Sequence, residues 1–514
     1  MLTGDMLRRS AERFPATPAV IWQDTRLSYA ELDAQANRFA HALRAGGLGM
    51  GAKLAFICRN RPEYAVGFFG AARSGAVLVN VSVLLADEEL RYVLDKADAE
   101  IAFVEAPFVE KLDALRAQLP KLREVVVIGG DGDGFAAFIE GQPDTAPEVD
   151  LHEDMAFCMT YTGGTTGRPK GVLASHRARA ITAHTVAVEE ALDERDVVGI
   201  VTPMFHVAAL NIMFQPAVLV GATCVLMPAW DTAEFARLAR ETGMTAAFMV
   251  PTQAAMMVSD PGFDAANFAS FRKLSFAGAP MPDWVQTDLM AKLPHLRLTQ
   301  IYGQSEVGVL TSLRHWYLPE KLGSIGRQAY NVDVALVDRE GRPVAPGEVG
   351  EIVSCGENLM LEYYDEPEQT ADFFRDGWGW TGDLGRMDED GFIWLVDRSK
   401  DMLISGGENI YPKEIENALY ELPQVAECAV FGIADPKWGE VPAAFVQLHP
   451  GTALSEAEVI SHCEAQLARF KRPRLVRFVK GFPKTAMGKI QKNILRAEFQ
   501  AGAGAGTDSK ETDR

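Results

Sequence analysis

Short runs of apolar, β-branched residues alternate with helical patterns along the first half of the chain, and this alternation restricts the fold most. Runs such as Lys53–Cys58, Ala76–Val81 and Ile101–Glu105 are predicted to be buried strands. Between them, Tyr29–Arg44 and Asp87–Ala97 have the apolar spacing of helices. Strands that alternate with helices are typical of sheets with helices packed on their faces. We therefore predict an α/β fold with a multi-stranded sheet.

The pattern changes twice in the second half. After Tyr330, the runs NVDVALVD, GEVGEIVSC and GFIWLVD are joined by short turns, which predicts a small antiparallel, β-barrel-like subdomain at 331–397. A second change, after DRSKDMLISGGENIYP, begins a compact α/β unit of ordinary domain size. We predict an N-terminal domain at 1–398, a smaller C-terminal α/β domain at 399–498 and a disordered, small and polar tail at 499–514.

Charge and composition exclude several classes of function. The chain carries 50 Lys and Arg against 70 Asp and Glu, a net charge of -20, which disfavours general binding of nucleic acid. Its six cysteines form no C-x-x-C pair and its histidines form no H-E-x-x-H motif, so no zinc site is expected. No uninterrupted apolar run is long enough for an integral membrane segment. A cytoplasmic protein is predicted, and a homodimer is compatible with the sequence.

The segment YTGGTTGRPKG (Tyr161–Gly171) is the first candidate for a binding loop. It follows an apolar run, and its glycines let backbone N–H groups converge on an anion while threonine hydroxyls add donors. It is not a Walker A loop, because Pro169 precedes Lys170 and Gly171 follows it, so the chain leaves the loop extended. The segment is therefore interpreted as a flexible phosphate clamp. The alternative is a surface turn rich in small residues.

Five further stretches bear on the choice between a phosphate clamp and a surface turn. They are FAGAPMP, YGQSE, GWTGDLG, DRSKDMLISGGENIYPKEIE and PKTAMGK. With the opening loop, and in this order, they resemble the signatures of the AMP-forming acyl-CoA synthetases. That family belongs to the adenylate-forming superfamily, together with firefly luciferase and the adenylation domains of peptide synthetases. The resemblance covers the chain from about Ala11 to Glu498.

The resemblance implies a reaction that begins with ATP and Mg²⁺. A carboxylic acid attacks the α-phosphate of ATP and forms an acyl-adenylate, and the site must neutralise charge and align the two anions. Glu306 would hold Mg²⁺, helped by the hydroxyl of Thr162, and Ser305 stands where a threonine is usual. One loop hydroxyl is missing, because Gly163 stands where the family has Ser or Thr. The residues implied to hold the β- and γ-phosphates are Thr162, Gly163, Gly164, Thr165, Thr166, Gly167 and Lys170.

The resemblance also implies a site for AMP. Asp383 would accept both ribose hydroxyl groups, and Arg398 would contact the ribose or a phosphate. Each of these two residues could instead be half of a surface ion pair. Tyr302 would stack on adenine. The small or glycine residues implied to surround the adenine are Gly278, Ala279, Pro280 and Gly303.

Lys489 is implied to be the catalytic residue that bridges the acyl carboxylate and the α-phosphate. The alternative is an exposed lysine in a basic C-terminal stretch. For the second half-reaction, in which a thiol attacks the adenylate, the family rotates its small domain about a hinge whose matching position is Lys400. Gly406 and Gly407 would then admit the pantetheine arm of coenzyme A. Further contacts with coenzyme A are implied for Trp438 and Phe470, and for the basic cluster Lys471, Arg472 and Arg474, which could instead be a solvated helix end.

The acid is predicted from PMFHVAALN (Pro203–Asn211), which matches the family's acyl-pocket wall. It carries no acidic residue that could bind an α-amino group, so a fatty or aromatic acid is expected. His206 is assigned to the catalytic site as an aromatic gate, with a core histidine as the equal alternative. Three functions stay open at this point: an acid–coenzyme A ligase, an adenylating enzyme that loads a carrier protein or uses its adenylate otherwise, and a nucleotide-binding protein without catalysis.

Overall fold

The computed structural model describes residues 1–130, 132–162, 168–279, 281–405, 408–484 and 490–504, with side chains up to Phe499. Among these residues, no helix combines the length and the apolar character needed to cross a bilayer.

Fifteen α-helices lie in the described part of the chain. They are α1 Thr3–Arg13, α2 Tyr29–Ala45, α3 Pro62–Ser74, α4 Asp87–Lys96, α5 Val109–Leu115, α6 Gly134–Ile139, α7 His176–Glu189, α8 Gln215–Val220, α9 Thr232–Thr242, α10 Pro251–Ser259, α11 Asp283–Lys292, α12 Pro367–Phe373, α13 Pro412–Tyr420, α14 Glu456–Gln466 and α15 Lys492–Gly504. Single 3₁₀ turns occupy Ala106–Phe108, Arg116–Gln118, Ala265–Phe268, His315–Tyr317 and Arg469–Lys471, and a π-helix occupies Ala208–Phe214.

The strands of the same described ranges include the three buried runs predicted first. They are β1 Pro18–Trp22, β2 Thr25–Ser28, β3 Lys53–Ile57, β4 Val77–Asn80, β5 Ile101–Glu105, β6 Glu124–Ile128, β7 Ala156–Thr162, β8 Lys170–Ser175, β9 Val197–Ile200, β10 Thr223–Leu226, β11 Ala246–Met249, β12 Lys273–Phe276, β13 Arg297–Gln304, β14 Gly308–Leu313, β15 Arg327–Gln328, β16 Asp333–Val337, β17 Val349–Cys355, β18 Glu362–Tyr363, β19 Phe374–Arg375, β20 Trp378–Met387, β21 Ile393–Arg398, β22 Leu403–Ser405, β23 Glu408–Ile410, β24 Val425–Asp435, β25 Gly439–Leu448 and β26 Leu475–Phe478.

Two large sheets form the body of the N-terminal part. One has nine strands in the order β15-β14-β13-β12-β11-β9-β10-β1-β2, and the other has seven in the order β18-β8-β7-β4-β3-β5-β6. The central strands of both are parallel, and antiparallel strands stand only towards the edges. The predicted α/β class is therefore confirmed.

Helices separate the two sheets and also cover their outer faces. The largest core contains residues of both sheets, such as Phe56 and Phe248, together with α1, α2, α3 and α8. A second core packs α9, α10 and α11 on the outer face of the nine-stranded sheet, and a third packs α4 and α5 on the seven-stranded sheet. This layering keeps the carboxyl ends of the parallel strands free for a site.

Two smaller sheets follow in the second half. Strands β16, β17, β19, β20 and β21 form an antiparallel sheet, as the turns of residues 331–397 predict. Strands β22 to β26 form a mixed five-stranded sheet with its own core.

The predicted tail starts too early in the chain. Helix α15 runs to Gly504, so its last six residues belong to the segment 499–514 that was expected to be disordered. Phe499, the first residue of that segment, packs edge-on against Phe445 at 6.0 Å and so contacts a core cluster of the last sheet. The remaining residues of that segment lie outside the described part of the chain.

Several helices begin where the sequence provides a capping residue. Ser28 and Glu31 form a capping box at α2, in which the Ser28 hydroxyl accepts the N–H of Glu31 and the Glu31 carboxylate accepts the N–H of Ser28. Ser455 and Glu458 repeat this arrangement at α14. Each box satisfies two N–H groups that would otherwise lack a partner at the helix start. The local sequence thus sets these helix starts.

Glu190, at the end of α7, provides a prediction about stability and pH. Its carboxyl group is buried, and burial raises its pKa from 4.5 to about 7. For an acid whose pKa is raised by folding, the stability is fully present below the unfolded pKa and is lost as the pH rises through the folded value. Between pH 4.5 and pH 8, we expect the wild type to lose about 3 kcal/mol relative to Glu190→Gln. Urea unfolding at several pH values measures this difference, and parallel curves for the two proteins would contradict it.

Candidate active site

The sequence motifs meet where three sheets come together. The hairpin of β13 and β14 carries Tyr302 to Glu306, and the hairpin of β7 and β8 flanks the glycine-rich loop. The adjoining antiparallel sheet contributes β20 and β21, with Asp383 directly opposite Arg398. Strand β18 links this region to the seven-stranded sheet, because it pairs with β8.

Asp383 is the centre of a hydrogen-bonded group. It is buried, and its Oδ2 accepts the Tyr302 hydroxyl at 2.8 Å and the Gln304 side-chain amide at 2.7 Å. Its other oxygen lies 3.1 Å from Nε of Arg398. These donors hold the carboxylate in one orientation. The group has the chemistry needed to accept hydroxyl groups of a sugar, although the prediction that Tyr302 stacks on adenine stays untested.

Gly303 has a structural reason for lacking a side chain. A Cβ atom there would lie 1.9 Å from the carbonyl oxygen of Gly308, because the hairpin is irregular between Tyr302 and Gly303. This close approach of two backbones permits only glycine. The neighbouring Ser305 is buried.

The glycine-rich loop joins two antiparallel strands. Thr162 at the end of β7 pairs with Lys170 at the start of β8, so the chain does leave the loop extended, as predicted. Gly163, Gly164, Thr165, Thr166 and Gly167 lie outside the described residues. Lys170 extends over the ring of Tyr363, with its Nζ 4.7 Å from the ring centroid. The neighbouring Arg168 lies over the ring of Tyr92 at 5.3 Å.

Glu306 stands close to the same tyrosine. Its Oε1 accepts the Tyr363 hydroxyl at 3.0 Å. Burial raises the pKa of Glu306, while that hydrogen bond and the charges of Arg398 and Lys170 act in the opposite direction. Glu306 thus presents a hard carboxylate oxygen, and through Tyr363 it lies close to Lys170.

The end of β12 offers an uncrowded backbone. Gly278 has φ +88, with no atom within 4 Å of the place that a Cβ would take, and Ala279 is exposed. A left-handed conformation of this kind favours glycine. A flat ring could therefore approach the backbone closely here. Pro280, the last of the predicted adenine contacts, lies outside the described residues.

Most of the predicted acyl-pocket wall is buried. Met204, Phe205 and Ala208–Leu210 belong to the core between the two large sheets. His206 is partly exposed, and its Nδ1 accepts the N–H of Ala208 at 3.2 Å. This contact agrees with both interpretations of the histidine.

A π-helix overlaps the end of this segment and contains the partly exposed Ile212. Pro216, in α8, has no N–H to donate to the carbonyl of Ile212, which disturbs the regular helix at this point. Ile212 and Ala277 pack on the core between the two large sheets and also on a smaller apolar cluster, which consists of Val186, Ile301, Val309, Ala329 and Val332. Since Ala277 directly precedes Gly278, this cluster adjoins the proposed adenine position. We expect the acyl group to contact it.

The predicted hinge and coenzyme A contacts lie around the start of the last sheet. Lys400 is exposed in the turn after β21. Gly406 and Gly407 lie outside the described residues, but their neighbours Ser405 and Glu408 pair across a hairpin, and Ser405 also pairs with Gly439. Trp438, which directly precedes Gly439, is 41% exposed, and Phe470 is 38% exposed.

The basic cluster near Phe470 is largely neutralised within the protein. Lys471 is bound to Glu414 at 2.7 Å, and Arg472 is bound to Glu464 at 3.2 Å. These pairs favour the alternative of a solvated helix end over a phosphate site. Only Arg474 of the three is exposed and without an ion pair among the described residues.

Lys489 lies outside the described residues. On either side of its segment, Lys484 and Ile490 form an antiparallel bridge. Lys492 is bound at 2.7 Å to Glu416 of α13, and the N–H of Lys413 in that helix donates to Asp397, the neighbour of Arg398. Described residues close to Lys489 in sequence therefore lie near β21, the strand that carries Arg398.

Two residues of the site escaped the sequence analysis. Gln304 belongs to YGQSE, but nothing in the motif indicates that its amide binds Asp383. Tyr363, in LEYYDEPEQT, lies in no stretch that the analysis singled out. Its signal would have been two adjacent tyrosines in an otherwise acidic segment, which is too weak to assign a role.

Comparisons with known proteins identify the family of the chain. A family model described as AMP-binding enzyme matches residues 7–364, and one described as AMP-binding enzyme C-terminal domain matches residues 414–489. The chain is 37% identical to a feruloyl-CoA synthase of Amycolatopsis sp over 96% of this chain and 98% of that protein. It is 36% identical to the long-chain-fatty-acid–CoA ligase FadD13 of Mycobacterium tuberculosis over 97% and 98%.

A solved structure extends the similarity to the fold. The ATP-bound MatB of Rhodopseudomonas palustris has a TM-score of 0.88 with this chain at 28% identity, covering 97% of this chain and 99% of MatB. The similarity therefore includes both the large N-terminal part and the smaller C-terminal part of the fold.

Proposed function

The chain belongs to the AMP-binding enzyme family, and from this premise we propose how its residues carry out the reaction. The enzyme is an acid–thiol ligase: it activates a carboxylic acid with ATP to an acyl-adenylate and transfers the acyl group to coenzyme A, with release of AMP and pyrophosphate. One observation supports the assignment of residues most directly. Gln304 donates to Asp383, and Glu306, two residues further along the chain, accepts the hydroxyl of Tyr363, whose ring lies against Lys170. Groups suited to a ribose therefore adjoin groups suited to phosphates.

The first half-reaction brings an anionic acid to a polyanion. We assign the ribose to Asp383, the adenine to the backbone at Gly278 and Ala279, and the phosphates to Lys170 and the loop beside it. Lys489 would bridge the acyl carboxylate and the α-phosphate, which stabilises the charge that both share in the transition state. Positive groups held in fixed positions need little reorganisation during the reaction, and this is the main source of catalysis in such sites.

We assign the Mg²⁺ site to Glu306, with the hydroxyl of Thr162. The carboxylate fits, because it is a hard oxygen ligand held by a tyrosine hydroxyl. No group of three His, Cys, Asp or Glu side chains among the described residues could hold a metal ion. An ion at Glu306 would therefore complete its shell with phosphate oxygens and water. When bound, Mg²⁺ neutralises phosphate charge and helps pyrophosphate to leave.

We propose that the acid is apolar, either a fatty acid or an aromatic acid. The apolar cluster beside Ala277 and Ile212 supports this proposal, because its members carry no charged or hydrogen-bonding side chain. The names of the two relatives, a feruloyl-CoA synthase and a long-chain-fatty-acid–CoA ligase, agree with it.

For the second half-reaction, we propose that the chain divides at Arg398–Lys400, with a mobile domain at 399–498. Rotation about Lys400 would withdraw Lys489 and bring Gly406 and Gly407 to the site. Trp438 and Phe470 support this proposal, because both are exposed aromatic side chains. Strand β25, which Trp438 directly precedes, and the 3₁₀ turn that carries Phe470 both contact the β22–β23 hairpin, which flanks the two glycines. The two aromatic side chains could contact coenzyme A.

The nucleotide products test the function. With ATP, Mg²⁺, coenzyme A and a panel of acids at equal concentration, chromatography should find AMP and pyrophosphate, and hydroxycinnamates or longer fatty acids should react faster than acetate, malonate or amino acids. Omission of coenzyme A should leave the acyl-adenylate bound and stop turnover. ADP as the main acid-dependent nucleotide would contradict the reaction, and a preference for malonate or an amino acid would contradict the apolar pocket.

A further inference from the structure

Tyr363 contacts both sides of the proposed phosphate site. Its hydroxyl donates to Oε1 of Glu306 at 3.0 Å, and its ring lies 4.7 Å from Nζ of Lys170. The ring is itself fixed, because it is 8% exposed and packs edge-on against Phe373. The backbone is fixed too, since Tyr363 pairs with Val172 of β8 and its N–H donates to the hydroxyl of Thr370.

Each contact restrains a different charged group. A phenol that donates to one oxygen of a carboxylate leaves the second oxygen and the remaining lone pairs free for a cation. The face of an aromatic ring attracts an ammonium group within about 6 Å of the centroid without neutralising it, as a carboxylate would. Among the described residues, Lys170 forms no ion pair. Its charge is thus available to an anionic ligand.

We propose that Tyr363 is a positioning residue that holds Glu306 and Lys170 in one arrangement before ATP binds. This inference rests on the proposed function, because it takes the phosphates of ATP as the ligand that both groups meet. The inference goes beyond the proposed function, because it assigns to one side chain the alignment of the metal ligand Glu306 with the phosphate-binding Lys170. The hydroxyl acts on Glu306, and the ring acts on Lys170.

Two substitutions separate these tasks. Tyr363→Phe removes the hydroxyl and keeps the ring, whereas Tyr363→Leu removes both. Titration calorimetry without acid or coenzyme A measures ATP binding, once with Mg²⁺ and once with EDTA. Tyr363→Phe should weaken binding of MgATP roughly tenfold, the scale of a hydrogen bond to a charged group, and leave binding of metal-free ATP nearly unchanged. Tyr363→Leu should weaken the binding of both MgATP and metal-free ATP, and the binding of metal-free ATP should be about fivefold weaker than in the wild type.

The adjacent tyrosine provides a matched control. The hydroxyl of Tyr364 donates to Asp98 at 3.0 Å, away from Glu306, so Tyr364→Phe should bind both forms of ATP as the wild type does. An equal loss for Tyr363→Phe with and without Mg²⁺, or the same loss in Tyr364→Phe, would overturn the proposal. So would unchanged MgATP binding in Tyr363→Phe. If the wild type itself binds no ATP, the proposed function fails instead, which distinguishes the two failures.

Discussion

Replacement of Lys489 by alanine should nearly abolish formation of acyl-adenylate from acid and ATP. The lysine would stabilise charge shared by the attacking carboxylate and the α-phosphate, so its loss should slow this step by about 10³-fold, or roughly 4 kcal/mol. Pyrophosphate release in a single turnover measures the step directly. Given acyl-adenylate prepared beforehand, the same variant should still form acyl-coenzyme A at a near-normal rate, because Lys489 would by then have left the site.

A second lysine in the same basic stretch provides the control. Lys484 is bound to Glu427 at 2.6 Å, so Lys484→Ala removes a nearby positive charge without removing the proposed catalytic group. This variant should form acyl-adenylate at close to the wild-type rate. If both variants lost the same activity, the loss would result from the lower positive charge of the basic stretch and not from the removal of Lys489 itself. Equal damage to adenylation and thioester formation in Lys489→Ala would contradict the rotation of the small domain.

Replacement of Lys400 by proline should have the opposite pattern. Proline fixes φ and restricts the preceding residue, so it should stiffen the turn at which the chain would rotate. Within the described part of the chain, the N–H of Lys400 donates no backbone hydrogen bond, so proline breaks none in the present arrangement. We expect adenylation to stay near normal and thioester formation to fall by about 10²-fold, the effect of blocking a required domain motion.

Lys400→Ala is the matched variant, because it removes the charge and keeps the torsional freedom. It should form acyl-coenzyme A much faster than Lys400→Pro, as measured by rapid quenching after acyl-adenylate has accumulated. If alanine and proline slowed the second step equally, Lys400 would act through its charge and not as a hinge. If proline slowed adenylation instead, adenylation itself would require a backbone conformation at this turn that proline cannot adopt.

Local sequence determines much of this protein. Alternating apolar runs predict the parallel strands and covering helices, and Ser28 with Glu31 marks the start of α2. Asp383, Glu306, Lys170 and the glycine-rich loop are recognisable because each chemical task requires a particular residue type in a short motif. The packing of Phe499 was not predictable in this way, since its partner Phe445 lies far away in the sequence.

Only the tertiary structure decides which of these groups meet. Glu306 and Tyr363 are 57 residues apart, and Gln304 and Asp383 are 79 apart, yet each pair is hydrogen-bonded. It also decides which segments share a core, because Met204 and Phe205 pack in one cluster with residues of both large sheets. The periodicity of apolar residues indicates only whether a side chain is buried, because it depends on residue spacing within one helix or strand. Which neighbour it meets depends on how the sheets are assembled, and that is set by contacts between distant segments.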